Sequence, residues 1–166
     1  MIPESVLGLP IHPLVVHAVI VLVPLAALLT IVVAVSPDRR ARLGWLTWFL
    51  ATAALGSALV ARFSGLNLEQ ALYPEVLPPL VSQHKALGVN NIWFVIALWL
   101  AVTALLLLDY DRRRRTGISS PVLPTVVAVV AILAAMAATS QVLLTAWSGT
   151  QAHWTGIVHS DGNTHA

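Results

Sequence analysis

The chain has 166 residues, 58% of them hydrophobic and 10% charged, with a formal charge of +2. Ordinary soluble domains carry about 25% charged residues, so the composition excludes a water-soluble globule. The lack of cysteine excludes a disulfide, a thiolate zinc site, an iron–sulfur cluster and covalent c-type haem.

Any metal or haem must therefore be held by nitrogen and oxygen, and the six histidines are the main source. The basic residues are mostly arginines in two short runs. In so apolar a chain they point to anionic lipid head groups and not to nucleic acid.

In chain order, Met1-Ile2-Pro3-Glu4 contains no Lys or Arg and lacks the positive region of a signal peptide. Residues 14–35 contain no Lys, Arg, Asp or Glu. They can cross a ~30 Å hydrocarbon core at ~1.5 Å per residue, which predicts a retained first span. Pro13 suits a first helical position, and Pro24 predicts a kink or a freed carbonyl. Ser36 to Arg42 reads as a turn with three arginines.

The second span is predicted over residues 43–61. Ala53, Ser57 and Ala61, with Gly56 beside them, form a small-residue stripe that reads as a packing face. Residues 63–83 read as a loop, or a loop with a short amphipathic helix along the surface, punctuated by Gly65, Asn67, Pro74, Pro78 and Pro79. A helix restarting after Pro79 would place His84, Gly88 and Asn91 on one face.

The third span covers residues 92–108, with Trp93 at a boundary, and leads to Asp109-Tyr110-Asp111 and Arg112 to Arg115. Ser119-Ser120-Pro121 marks a turn before a fourth span over residues 122–144. Trp147 and Trp154 then suggest an interfacial belt, and the tail from His159 to Ala166 reads as polar and solvated. No internal repeat is evident, so residues 1–166 form one domain.

The expected fold is all-α, a four-transmembrane-helix bundle, multi-pass in the cell membrane. The loops after spans one and three hold Arg39, Arg40, Arg42 and Arg112 to Arg115, seven of the nine Lys and Arg residues. The positive-inside rule then puts both loops in the cytoplasm and both termini outside.

His12, His17, His84 and His153 are the candidate ligands for b-type haem or for a copper or zinc ion. His17 lies one turn inside span one, where an ionisable group is costly and usually faces the bundle interior. His12 and His17 are five residues apart, about 140° around a helix. They share a face only if His12 lies outside the helix.

His84 is the best partner, descending from the same surface with Asn90 and Asn91 as polar support. His153 ends a stripe of Gln141, Thr145 and Gly149. His159 and His165 have no such framework. No catalytic residue is assigned: there is no GxSxG elbow, glycine-rich phosphate loop or HExxH helix, and no span contains a carboxylate.

Several short motifs fall in order: Gly8-Leu9-Pro10-Ile11-His12-Pro13-Leu14-Val15-Val16-His17, Ser64-Gly65, His84 with Leu87-Gly88, and Trp147-Ser148-Gly149-Thr150 with Gly156. Together the chain resembles a bacterial family of four-helix membrane proteins, domain of unknown function 2231. The resemblance covers nearly the whole chain, and its most specific part is the His-Pro opening.

It implies His12, His17 and His84 as the family's histidine positions. Members resembling fusions to Rieske iron–sulfur domains, and the likeness to b-type cytochrome membrane subunits, imply redox work by analogy. The chain departs from the family pattern at Trp147, where members often have histidine, and at Leu66, where an acidic residue is common.

Two functions follow. One is a haem- or metal-binding subunit that passes electrons near the outer leaflet, with a Rieske-type protein as partner. The other is a cofactor-free interaction or assembly subunit with structural histidines; an oligomer is compatible with either.

Overall fold

The computed structural model describes residues 5–6, 9–114 and 122–161, with side chains described for 11–114 and 122–154. Four long helices dominate: α1 (Ile11–Val35), α2 (Pro37–Leu72), α3 (Pro79–Arg114) and α4 (Val122–Asp161). Ahead of them, β1 (Ser5–Val6) pairs antiparallel with β2 (Leu9–Pro10), a small addition to the all-α architecture expected. Each helix has a stretch long and apolar enough to cross a membrane.

The turn between α1 and α2 is Ser36 alone. Its backbone is extended, and its Oγ accepts a bond from the Arg39 amide at 3.4 Å. Pro37 takes the first helical position, where the amide it lacks would be unpaired anyway. Arg40, only 9% exposed, folds back over the end of α1. Its Nε donates to the Val33 carbonyl and its Nη2 to the Ala34 carbonyl, both at 2.8 Å. Those are among the last carbonyls of α1, which have no partner within the helix.

Residues 63–83 are mostly helical and not a loop. α2 continues to Leu72 and α3 starts at Pro79, leaving residues 73–78 as the connector. Pro74 and Pro78 break the helix as expected. Gly65 does not, because the His12 ring packs on it, and Asn67 stands exposed on the continuing helix. The tail also differs: α4 runs to Asp161 and includes His159, while His165 lies outside the described residues. At ~1.5 Å per residue α2 and α3 are about 54 Å long, against a hydrocarbon core of ~30 Å, so both outrun a bilayer.

The helices form a ring in which α1 and α3 each pack against both α2 and α4, with few contacts across the α1–α3 diagonal. Alanines of α2 and α4 receive larger residues of α1 and α3, among them Val23, Val95, Leu98 and Val102. The buried stripe of α2 is Ala51, Ala54 and Ala58, next to the Ala53–Ser57–Ala61 stripe expected. Gly56 faces away from the bundle, with open space where a Cβ would stand.

The core also discloses an internal repeat that the sequence analysis does not find. Buried positions of α1 recur in α3 72 residues later: Val19 with Asn91, Val23 with Val95, Ala26 with Leu98, Thr30 with Val102 and Val33 with Leu105. Buried positions of α2 recur in α4 84 residues later: Thr47 with Ala131, Ala51 with Ala135, Ala54 with Ala138, Ala58 with Val142 and Ser64 with Ser148. The two hairpins are repeats in packing although few residue identities survive.

Candidate functional site

The repeat is clearest at the end of the bundle opposite the arginines. His12, on the second residue of α1, lies against α2: its Nδ1 is 3.0 Å from the Ala61 carbonyl and 3.3 Å from Ser64 Oγ. His84, near the start of α3, lies against α4 in the same way, with Nδ1 3.1 Å from the Thr145 carbonyl and 3.0 Å from Ser148 Oγ. Each serine hydroxyl donates to that same carbonyl, at 3.2 Å from Ser64 and 2.8 Å from Ser148.

A carbonyl can only accept, so each imidazole places a hydrogen on Nδ1 and shares it between carbonyl and hydroxyl. In the neutral ring Nε2 is then a bare lone pair. Neither Nε2 makes a hydrogen bond to a described residue.

Glycine makes this close approach possible. A Cβ on Gly65 would stand 2.8 Å from His12 Cε1, and one on Gly149 would stand 2.9 Å from His84 Cε1. Real Cβ atoms do not come so near a ring carbon. The imidazole therefore packs its Cε1 corner against the glycine, and Ser-Gly one turn beyond the bonded carbonyl is the shared signature of both helices.

Both rings wall one cavity of about 130 Å³ to which all four helices contribute. The repeat extends to its walls. Val16 faces it opposite Gly88, Ile20 opposite Ile92, and Ala61 opposite Thr145 as counterparts. The polar groups are unevenly shared, with Arg62 and Glu69 on α2 and Lys85 and Asn91 on α3.

Lys85 Nζ is 2.7 Å from Glu69 Oε1 across the rim. Arg62 donates through Nη1 to the Val89 carbonyl, and Gln141 Nε2 donates to the Leu87 carbonyl at 3.2 Å, so α2 and α4 are both pinned to α3 here. Asn91 is buried, and its Oδ1 has no hydrogen-bond partner among the described residues.

Of the four histidines expected to converge, the structure brings together His12 and His84 and separates the other two. His17 is exposed, its Nδ1 bonded to the Pro13 carbonyl of its own helix at 2.6 Å. The cause is angular. α1 begins at Ile11, so His12 is inside the helix and 140° from His17.

His153 is also exposed, edge-on to Trp154 at 5.4 Å. Steps of four residues turn a helix face by about 40° each. Gln141, Thr145 and Gly149 therefore stay at the site while His153 leaves it. The Trp147 position is 66% exposed and faces out of the bundle. No cluster of three or more His, Cys, Asp or Glu side chains placed to hold a metal occurs among the described residues.

Sequence reasoning misses Ser64, Gly65, Ser148, Gly149 and Arg62 as site residues. The available signal was the doubled Ser-Gly, each following a histidine-led helix. In the sequence alone both pairs, 64–65 and 148–149, stand only as part of the family likeness.

Residues 8–162 match the family described as predicted membrane protein (DUF2231). The chain belongs to that family. No curated protein and no solved structure matches it. As a DUF2231 member with four candidate spans, it is a membrane protein, and the resemblance drawn from the His-Pro opening and the Ser-Gly pairs holds.

Proposed function

We propose that this DUF2231 protein is a membrane binding subunit that holds one transition-metal ion, of the copper or zinc class, between His12 and His84. The observation that carries this reading is the wiring of Nδ1 to a helix carbonyl in both rings. Ligating histidines almost always donate their other ring N–H to a carboxylate, carbonyl or water, which fixes the tautomer and aims the lone pair. Both rings wall the same cavity.

Size selects among the occupants suggested by the sequence. Pockets for drug-sized molecules measure roughly 300–1,000 Å³. A cavity of about 130 Å³ suits an ion with a water or two and does not suit a porphyrin. Haem is therefore set aside. Electron transfer, with or without a Rieske-type partner, attaches to copper alone, because zinc has no redox chemistry.

The test is metal content. The detergent-purified chain, loaded with zinc or copper and desalted, is expected to retain about one ion per chain. His12→Ala and His84→Ala should lose it, while His17→Ala and His153→Ala should keep it. Affinity should fall toward acid pH, because protons compete for Nε2. If the wild type retains neither metal, the reading fails.

A second reading has its own support. The same clasp occurs in both halves, tying α1 to α2 and α3 to α4 with no ion needed. It describes a cofactor-free assembly subunit, and it predicts that His12→Ala, His84→Ala lowers the melting temperature of a protein that never bound metal.

A further inference from the structure

At the arginine end of the bundle the two hairpins differ on the face turned away from the core. Arg42, Trp45, Leu46 and Phe49 stand at positions i, i+3, i+4 and i+7 of α2, which share one side of a helix, and all four are exposed. Trp45 is 81% exposed. Arg39, also exposed, lies one turn before Arg42. The counterparts 84 residues later on α4 are Leu123, Val126, Val129, Val130 and Leu133, an aliphatic face suited to lipid chains alone.

Other arginines at this end are engaged. Arg40 caps α1, Arg113 holds Asp109, and Arg114 stacks over the Tyr110 ring at 4.4 Å. The side chains of Arg39 and Arg42 make no hydrogen bond or ion pair with a described residue, and Asp38, nearer the start of α2, pairs with neither. Because α1 is apolar up to Val35, hydrocarbon reaches the level of the first turns of α2. Arg42 lies about 8 Å along α2 from Pro37, where an arginine stem can follow apolar surface while its guanidinium reaches the head groups.

We infer that this face of α2 is a binding site for an anionic phospholipid, its phosphate held by Arg39 and Arg42 and an acyl chain lying over Trp45, Leu46 and Phe49. Charge identifies the occupant: two cations without partners stand at the rim of an aromatic, membrane-facing strip. The inference is independent of the metal reading.

The chemistry is that of the fork and the ring. Guanidinium presents paired N–H donors that match phosphate oxygens, and each basic residue near an anionic surface is worth about fivefold in affinity. A zwitterionic lipid carries its own cation beside the phosphate and gains less from the pair. The indole of Trp45 suits the boundary between head groups and chains.

The test uses the full chain in phosphatidylcholine vesicles containing either brominated phosphatidylglycerol or brominated phosphatidylcholine, whose bromines quench tryptophan on contact. Subtracting the signal of Trp45→Phe isolates Trp45. Brominated phosphatidylglycerol should quench it with about fivefold or greater preference. Arg39→Gln, Arg42→Gln should reduce that preference to within about twofold, and should melt with the wild type because neither side chain has a partner to lose. Arg113→Gln, Arg114→Gln removes as much charge from α3 and should leave the preference unchanged.

Equal loss from both pairs would mean a diffuse surface potential and not a site. No preference in the wild type would also overturn the inference. Quenching by neither lipid would mean that protein, such as a second copy of the chain, covers this face. Loss of the preference in millimolar inorganic phosphate would assign the arginines to a soluble anion instead of a lipid.

Discussion

The two glycines under the imidazoles are the smallest residues at the site and among its strictest requirements. Gly65→Ala or Gly149→Ala would place a methyl group 2.8 or 2.9 Å from a ring carbon. The ring must move, and its bonds to the carbonyl and the serine stretch or break. Overpacking of this kind costs about 1–3 kcal/mol, so each variant should melt lower in detergent and bind metal roughly tenfold more weakly.

Gly56→Ala is the control. Its Cβ enters open space, and alanine's helix propensity should raise stability by up to about 1 kcal/mol. If Gly65→Ala and Gly56→Ala melt alike, the close contact between ring and glycine is not a constraint. Arg62 tests the site's charge instead. Arg62 lines the same cavity, and a like charge repels a bound cation. Arg62→Gln should therefore tighten metal binding several-fold, and weaker binding would mean that Arg62 serves the ligand and does not oppose it.

At the scale of elements, the turn after α1 depends on one side chain. Arg40 reaches two carbonyls with two different nitrogens, and Asp109 Oδ1 lies 3.8 Å from its third. Lysine has one ammonium and cannot reproduce that fork. Arg40→Lys should leave one carbonyl of α1 unpaired and cost about 1–3 kcal/mol, read as a lower melting temperature with metal binding unchanged.

Arg40 also shows what a sequence can and cannot disclose. Its charge was legible, but its place inside α2 and its burial were not, because the arginine run reads as a turn and as a solvated or lipid-facing patch. The four spans were legible because apolar length is a local property of the chain. So was the restart at Pro79 that puts His84 and Asn91 on one face.

The continuation of α2 through Gly65 was not legible. A glycine scores as a helix breaker until the ring that packs on it is known. His12 illustrates the same limit from the other side. Whether it lay inside or outside α1 decided whether His17 could join it, and one residue of helix start is beyond what pattern reading resolves.

At the scale of the whole molecule, the fold is two similar hairpins, each with its own clasp, and the cavity lies where they meet. Neither hairpin holds more than one of the two paired imidazoles. Each half should therefore be a packing unit and neither a binding site. This can be tested by dividing the chain in the connector, whose residues 73–76 are exposed.

Cut between Glu75 and Val76, the halves keep all four helices and both His–Ser bonds intact. The lost covalent link costs chiefly loop entropy, which for so short a connector is small beside the apolar surface shared between α1 and α4 and between α2 and α3. Co-expressed halves should therefore copurify at one-to-one stoichiometry and bind metal as the intact chain does, whereas either half expressed alone should bind none stoichiometrically. A single half that binds a full equivalent would place the ion inside one hairpin and remove the interface from the mechanism. Failure of the halves to associate would show that the hairpins are not independent packing units, and that their resemblance in burial reflects the periodicity of helices and not a repeated structural module.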